Sequence, residues 1–310
     1  TWFELASLSK TLACSFALEY FRSKKISLDT QVNKLFESSH SQFRLKSDLN
    51  PNWADQVTIA HLMNHSALNM HYVRGVPAHE EMPSVLELLN GSARFKYDPV
   101  RVIYPPGAQF KYSGGGFLVL EHLIGVLEGK SALDLGRSYL DQLQLSALSF
   151  DQKSIPGKDY AHGYLDSGDL IPGTRFMFPS FAAGAMGTSG DMAKYLQMLT
   201  HAYNSVDGVP GISHDTAVQM LYGSDRGSRD FMGCDMGLGV FVTEAGDNKI
   251  AVHQGANDGF RSLYIHCFKG PDQGKGFVLL CNADNQGVEF NGRVAQVLLT
   301  ALNIEGVNAE

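Results

Sequence analysis

A helix that is apolar on nearly every side is the strongest constraint in this sequence. Residues 11–21 form such a run, and a helix without a polar face has to be enclosed by the rest of the fold. The tetrapeptide Ser7-Leu8-Ser9-Lys10 opens this run. Residues spaced like the first serine and the lysine lie on one face of a helix, about one turn apart. The sequence therefore predicts a buried helix that carries a serine and a lysine side by side at its start.

Two interpretations of this serine and lysine are open. In the first, burial disfavours the charged ammonium, so the amine of Lys10 becomes a base for Ser7 as its hydroxyl attacks a carbonyl. The free N–H groups and the dipole at the helix N-terminus favour the negative charge that then develops. In the second, Ser7 or Ser9 only caps the helix and Lys10 extends to water. The tetrapeptide by itself favours the second, because the pattern is common.

Composition limits the class of the chain and its partners. With 310 residues and 44% hydrophobic content it can bury a substantial core, as one large domain or two interleaved ones. A net charge of -7 argues against nucleic acid or an anionic membrane as partner, and no apolar stretch reaches the length of a membrane span. The cysteines form no CxxC pair and the histidines no HExxH motif, so we expect no metal site.

The periodicity of apolar residues changes at about residue 230. Helices are predicted at 7–22, 58–65, 83–90, 115–128, 131–142 and 189–202. Strands are predicted at 239–242, 249–253, 260–268 and 276–281, followed by a helix at 289–302. Adjacent strands followed by a helix indicate an α+β fold. We expect a mostly helical region at 1–230, and an antiparallel sheet with a C-terminal helix at 231–310.

Two later segments bear on the serine and the lysine. The first joins Tyr112 to three glycines at 114–116, which let another backbone or a ligand approach closely. Near Lys10 this tyrosine can act as a general acid or base, or it only packs at the entry of a helix. The second segment joins His253 to a turn in which the N–H of Ala256 can form half of an oxyanion hole. There the histidine adds a polar group at the rim of the site, or is a half-exposed strand residue.

In this order the three motifs resemble a known family. SxxK, then a tyrosine motif, then HxG near the C-terminal end is the order found in serine hydrolases of the class C β-lactamase and penicillin-binding protein type. Residues 59–68 are similar to the LLxHxSGL segment of that family, and residues 182–192 to its AGGLxSTxxD segment. The resemblance covers essentially the whole chain.

The resemblance implies a fold and a set of roles. The fold is β-lactamase/transpeptidase-like, with an antiparallel sheet flanked by helices beside a mostly helical domain. Ser7 is the implied nucleophile, Lys10 its basic neighbour and Tyr112 a group in proton transfer. The backbone N–H groups of Ser7 and Ala256 form the implied oxyanion hole, and no metal or organic cofactor is implied. The other implied substrate-binding positions are Ser113, His253 and Gly255.

Two departures from the family pattern bear on the substrate. Gly114 stands where β-lactamases of this kind carry an asparagine that contacts the acylamido group of a lactam. His253 replaces a lysine whose fixed charge would meet a substrate carboxylate. Both departures favour an esterase or peptidase that acts on a small-molecule ester, amide or peptide. The alternatives are a β-lactamase or D-Ala-D-Ala carboxypeptidase, and a catalytically weak binding protein of the same fold.

The resemblance also concerns location and the start of the chain. The family favours a periplasmic or secreted location. Its members normally have strands and a helix before the nucleophile, whereas six residues precede Ser7 in this sequence, so we expect an incomplete sheet.

No motif in the sequence predicts the shape of the pocket. Loops at about 70–110 and 150–180 are expected to form it. Four apolar residues of the second loop either line its wall or, as the simpler alternative, pack in the core: Phe176, Met177, Phe178 and Phe181.

Overall fold

The helix that carries the lysine runs through the centre of the protein. The computed structural model describes residues 1–153, 155, 159–172 and 176–304. The predicted helix is α1 (Ser9–Ser23), and the short 3₁₀ turn Ala6–Leu8 precedes it. Residues 9–18 are all buried. The run without a polar face is therefore enclosed on every side, as its sequence requires.

The other helices of the described chain surround α1 or cover the sheet. They are α2 (Val32–Ser38), α3 (Pro51–Gln56), α4 (Ile59–Met63), α5 (Val85–Asn90), α6 (Gly114–Glu128), α7 (Ala132–Gln142), α8 (Ser189–Asn204), α9 (His214–Leu221), α10 (Arg229–Met232) and α11 (Asn285–Leu302). The starts of α6, α7 and α8 agree closely with the prediction. The prediction missed α2, α3, α9 and α10, because such short helices contain too few apolar positions to show a period.

Five antiparallel strands form the main sheet. The strands of the described chain are β1 (Phe3–Glu4), β2 (Val76–Pro77), β3 (Leu148–Ser149), β4 (Phe176–Met177), β5 (Met186–Gly187), β6 (Asp235–Met236), β7 (Phe241–Ala245), β8 (Asn248–Asn257), β9 (Phe260–Lys269) and β10 (Gly276–Cys281). The main sheet has the order β10-β9-β8-β7-β6. In the smaller sheets β5 lies between β1 and β3, and β2 pairs with β4. The antiparallel sheet predicted for the C-terminal part is confirmed.

β8 extends beyond one of its two neighbours. Its pairing with β7 ends at Val252, whereas its pairing with β9 continues to Asn257. Residues 253–257 therefore have a ladder partner on one side only. Buried and exposed residues alternate in this half, and the exposed ones are Gln254 and Ala256. The free edge of this half lies against the turn that precedes α1.

One hydrophobic core joins the helical region to the sheet. It includes Leu12 of α1, Phe117 of α6 and Phe268 of β9. The division at about residue 230 marks a change in secondary structure, and two separate domains at 1–230 and 231–310 stay a prediction. None of the described helices combines the length and the apolar character needed to cross a membrane.

A backbone contact between α6 and α4 fixes the start of α6, which Ser113 separates from Tyr112. A Cβ atom at Gly116 would lie 2.4 Å from the carbonyl oxygen of Leu62. No side chain fits at that distance, so the two backbones can touch only where the residue is glycine. The glycine-rich segment predicted to allow a close approach therefore serves helix packing at this position.

Replacing Gly116 with alanine is expected to lower the free energy of unfolding by about 1–3 kcal/mol, because the backbone of α4 has to move. Gly125→Ala in the same helix is the control, since its added methyl group would lie 3.4 Å from the Lys130 carbonyl oxygen. Alanine there is expected to gain roughly 0.5–1 kcal/mol of helix propensity. Urea unfolding followed by circular dichroism measures both variants. Equal stability of the two would contradict the tight contact.

Candidate active site

Ser7 lies in a turn that two other parts of the chain hold in place. Ala6, directly before it, has a φ of +49°, a left-handed conformation that costs energy for a residue with a Cβ atom. The N–H of Leu5 donates to the Ala185 carbonyl at 2.9 Å. The Leu5 carbonyl accepts a hydrogen bond from Ser262 Oγ at 2.7 Å. These bonds stabilise a turn that the local sequence alone would not adopt.

Lys10 is buried directly beneath Ser7. Its side chain is 1% exposed, and its Nζ lies 3.0 Å from Ser7 Oγ. Nζ also donates to the carbonyl oxygen of Ala182 at 2.6 Å. Burial lowers the pKa of Lys10 from 10.5 to about 7, since the charged form loses its hydration. At neutral pH a large fraction of this amine is therefore uncharged and has a lone pair available to the serine hydroxyl.

The carbonyl that orients Lys10 belongs to a short π-helical segment, Ser180–Gly184. The N–H of Phe181 donates to Glu121 Oε2 of α6 at 3.1 Å. The side-chain amide of Asn257 donates to the carbonyl oxygen of the next residue, Ala183, at 3.1 Å. Burial raises the pKa of Glu121 to about 7. Sequence reasoning missed these contributions, because a backbone carbonyl leaves no side-chain signal and Glu121 lies far from Lys10 in the sequence.

Tyr112 completes a cluster with the serine and the lysine. It is 6% exposed, its hydroxyl interacts with Ser7 closely enough to affect the pKa of the phenol, and its ring centroid lies 4.9 Å from Lys10 Nζ. Burial raises the pKa of Tyr112 above its usual value, and the interaction with Ser7 offsets part of that rise. The phenol is therefore protonated at neutral pH. The ring packs at 4.5 Å from the His65 ring and stacks at 5.3 Å on Phe231.

β8 lies against the Ser7 turn at closest packing. A Cβ atom at Gly255 would lie 2.7 Å from the Leu5 carbonyl oxygen and 2.9 Å from the Cβ of Ala6. The glycine is thus required for the strand to approach the turn. The approach brings Ala256 to the same cavity as Ser7. The participation of their N–H groups in an oxyanion hole stays a prediction.

His253 lies deeper than the sequence predicts. It is 1% exposed, so the expectation of a half-exposed strand residue is wrong, but it is among the residues that line the cavity containing Ser7. Nδ1 lies 2.7 Å from the carbonyl oxygen of Gln254, to which it can donate. Burial and the charge of Lys10 lower the pKa of His253 to about 3. The imidazole is therefore neutral and supplies no cation in place of the family's lysine.

Ser113 lies behind Tyr112 and away from the cavity. Its side chain is 1% exposed, and its N–H donates to His65 Nδ1 at 3.1 Å. The structure therefore does not bring its hydroxyl to the predicted substrate position. At the next residue, Gly114, a Cβ atom would lie 3.0 Å from Val73 Cγ1. The packing thus leaves little room for an asparagine side chain here.

A cavity of about 360 Å³ opens above Ser7 and has mainly apolar walls. The apolar and aromatic residues that line it include Tyr72, Tyr112, Phe231, Met232, Phe241, Leu263 and Val288. Sequence reasoning missed most of these, because they are isolated residues on different elements. Of the residues proposed for the wall, Met177, Phe178 and Phe181 are buried, as the core-packing alternative expects. Phe176 and Phe178 also line a neighbouring groove. Among the described residues, no three His, Cys, Asp or Glu side chains come together as a metal site.

Comparison with known families identifies the group to which this arrangement belongs. The family model described as Beta-lactamase matches residues 1–302. The chain belongs to the beta-lactamase family. The family and the fold class predicted from the ordered motifs are thereby confirmed. A comparison of this beta-lactamase family protein with proteins of curated function gives no match.

Solved structures share the fold of this beta-lactamase family protein at low sequence identity. The octameric penicillin-binding protein homologue from Pyrococcus abyssi has a TM-score of 0.71 at 19% identity, over 99% of this chain and 67% of that one. D-amino acid amidase from Ochrobactrum anthropi SV3, complexed with L-phenylalanine amide, has a TM-score of 0.72 at 18% identity, over 98% and 86%. The beta-lactamase/D-alanine carboxypeptidase from Pseudomonas syringae has a TM-score of 0.69 at 15% identity, over 97% and 84%. These similarities show the shared β-lactamase/transpeptidase-like α+β fold.

The lowered pKa of Lys10 predicts how the free energy of unfolding changes with pH. Between pH 7 and 10.5 the unfolded chain binds a proton at Lys10 that the folded protein does not bind. Because of this residue, the free energy of unfolding rises by about 1.4 kcal/mol for each pH unit across that window. Below pH 7 Lys10 adds no pH dependence, since both states bind the proton. Lys10→Met removes this contribution. Urea unfolding between pH 6 and 9 is expected to show a stability advantage of the variant that shrinks as the pH rises above 7.

The control for this measurement is Lys34→Met, which changes an exposed lysine of α2. It is expected to keep the pH dependence of the unmodified protein. A Lys10→Met variant whose stability follows the unmodified protein at every pH would contradict the burial argument.

Proposed function

We propose that this protein is a serine hydrolase that cleaves a small-molecule ester or amide through an acyl-enzyme on Ser7. The observation that carries the proposal is the 3.0 Å distance between Ser7 Oγ and Lys10 Nζ, together with a lysine pKa lowered to about 7. A nucleophile beside a base that is neutral at working pH is the requirement for this chemistry. The cavity above Ser7 supplies space for the acyl and leaving groups.

Acylation begins with Lys10 unprotonated. Its lone pair takes the proton of Ser7 as Oγ forms a bond to the carbonyl carbon and the π electrons move to the carbonyl oxygen. The N–H groups of Ser7 and Ala256 are the proposed donors to that oxyanion. The new ammonium donates to the Ala182 carbonyl and lies 4.9 Å from the Tyr112 ring centroid, where the ring face attracts a cation.

Release of the leaving group uses the proton of Tyr112. As the carbon–oxygen or carbon–nitrogen bond breaks, the leaving atom takes this proton, and the Lys10 ammonium returns a proton to the phenolate. Water then attacks the acyl carbon while Lys10 again accepts a proton. The second tetrahedral intermediate collapses as the bond between the acyl carbon and Ser7 Oγ breaks and Oγ takes the proton from Lys10, which releases the free acid and restores the neutral amine.

The cavity favours an apolar substrate. It does not favour a substrate that places a carboxylate near residue 253, where the family carries a lysine. Aromatic rings line the cavity, and the histidine at the lysine position is neutral. The likeness to D-amino acid amidase supports amides as well as esters. The rival β-lactamase or carboxypeptidase function has support in the likeness to the enzyme from Pseudomonas syringae. The packing at Gly114 weighs against it, because it leaves little room for a side chain to hold an acylamido group.

Ser7→Ala is expected to abolish turnover of a p-nitrophenyl ester, by at least about 10³-fold, because the acyl group has no acceptor. It is also expected to abolish covalent labelling by a fluorophosphonate, measured by intact mass. Ser23→Ala, at the exposed end of α1, is the control and should label and turn over as the unmodified protein does. An unmodified protein that binds ester ligands without labelling or turnover would favour the binding-protein alternative. Faster turnover of a chromogenic cephalosporin than of the ester would favour the β-lactamase alternative.

Phe231→Ala is expected to lower kcat/KM for a phenylpropionate ester about tenfold relative to an acetate ester, since an aromatic wall contributes about 1.4 kcal/mol to an aromatic acyl group. Phe231 lines the cavity and stacks on Tyr112. Phe290→Ala is the matched control, because Phe290 is 55% exposed and is not among the residues that line the cavity. An unchanged ratio in Phe231→Ala would show that the acyl group lies elsewhere.

A further inference from the structure

Asn257 ends strand β8 directly after Ala256 and lies inside the protein. It is 4% exposed, and a two-residue turn leads from it to β9. From residue 253 onwards β8 has a ladder partner on one side only. The tip of a loop moves easily unless other contacts hold it. A contact that holds Asn257 therefore also restricts the movement of Ala256.

The side-chain amide of Asn257 joins three segments of the chain. Its Nδ2 donates to Glu4 Oε2 of β1 at 2.7 Å and to the Ala183 carbonyl oxygen at 3.1 Å. Glu4 lies three positions before the proposed nucleophile, and Ala183 belongs to the π-helical segment that orients Lys10. One amide hydrogen is directed to each of these segments. The amide thus connects the three segments that carry the proposed catalytic groups.

The cost of this arrangement indicates that it serves more than packing. Asn257 Oδ1 is buried and has no hydrogen-bond partner among the described residues, which destabilises the fold. Glu4 is 2% exposed, and acidic side chains are rarely buried so deeply. Apolar side chains could fill the same space without these costs. A hydrogen bond differs from them in fixing both distance and direction.

We propose that Asn257 and Glu4 are positioning residues, which fix β8 against the Ser7 turn so that the Ala256 N–H and the serine hydroxyl reach the same carbonyl group. The inference rests on the proposed hydrolase function and deepens it. Neither residue is among the described ones that line the cavity above Ser7, so we expect both to act through the backbone that they hold. Misplacing a reacting group by about 1 Å can lower a rate about 100-fold.

The test breaks the link and then rebuilds one half of it. Asn257→Asp removes both amide hydrogens and places two acids face to face, and Asn257→Ala removes both bonds without adding an acid. In the double variant Asn257→Asp with Glu4→Gln, donor and acceptor are exchanged. The bond between β8 and β1 can then form again, whereas the bond to the Ala183 carbonyl stays absent. Turnover of p-nitrophenyl acetate is expressed per folded molecule, with the folded fraction measured by circular dichroism.

Asn248→Asp is the matched control. Asn248 begins β8 at the opposite end from Ala256, is 1% exposed, and donates from Nδ2 to Asp272 Oδ2 at 2.8 Å. Its replacement breaks a buried pair of asparagine and acid of the same kind, in the same strand. The control is expected to lower the melting temperature and to leave kcat per folded molecule unchanged.

Asn257→Asp and Asn257→Ala are expected to lower kcat and kcat/KM equally, about tenfold or more, because positioning acts on the transition state and not on the binding of the ester. The double variant should recover about threefold or more relative to Asn257→Asp, since the two positions are coupled. A purely structural role would instead change the folded fraction and leave kcat per folded molecule as it is.

Two kinds of failure are distinguishable. The inference about Asn257 and Glu4 is overturned, and the hydrolase remains, if the Asn257 variants keep their kcat, if Asn248→Asp loses as much, or if the double variant recovers nothing. If the unmodified protein neither hydrolyses the ester nor is acylated at Ser7, the proposed function itself fails and this inference fails with it.

Discussion

The exclusion of water from the Lys10 amine is the constraint on which the rest of the structure depends. A lysine becomes a base near neutral pH only if its charged form is made costly, and that requires protein on every side of α1. The same enclosure demands a compensating acceptor, which the Ala182 carbonyl provides. The strained Ala6 and the lysine without hydration both reduce stability locally. The large shared core compensates for this local loss of stability.

The resting site is close to electrically neutral. Lys10 is partly unprotonated, Tyr112 is a neutral phenol and His253 is a neutral imidazole, and burial is the largest cause of each shift. In the proposed reaction, charge therefore appears mainly when the reaction begins, as an ammonium and an oxyanion close together. Groups that are fixed before the charges form stabilise a transition state without having to reorganise. A permanent cation at position 253 would instead act on the substrate before the reaction and on Lys10 by repulsion.

The central helix, the antiparallel sheet and the grouping of Ser7 with its neighbours were predictable from sequence, for different reasons. An apolar run without a polar face can only be buried, so α1 followed from periodicity. Tyr112 and Ala256 lie far from Ser7 in the sequence, and only the ordered motifs of the family brought them together. The burial of His253 could not be foreseen, because it depends on which elements cover β8. The Ala182 carbonyl lies 172 positions from Lys10, and a backbone group carries no residue-specific signal.

The free half-edge of β8 has a consequence for the stage of folding at which the site forms. Ser7 and Ala256 are 249 positions apart in the sequence, so bringing them together closes a long loop, and such contacts form slowly. Until β8 and β9 close against the Ser7 turn, Lys10 remains in water and keeps its ordinary, protonated state. The neutral amine beside Ser7 is therefore a product of long-range folding and not of the helix alone.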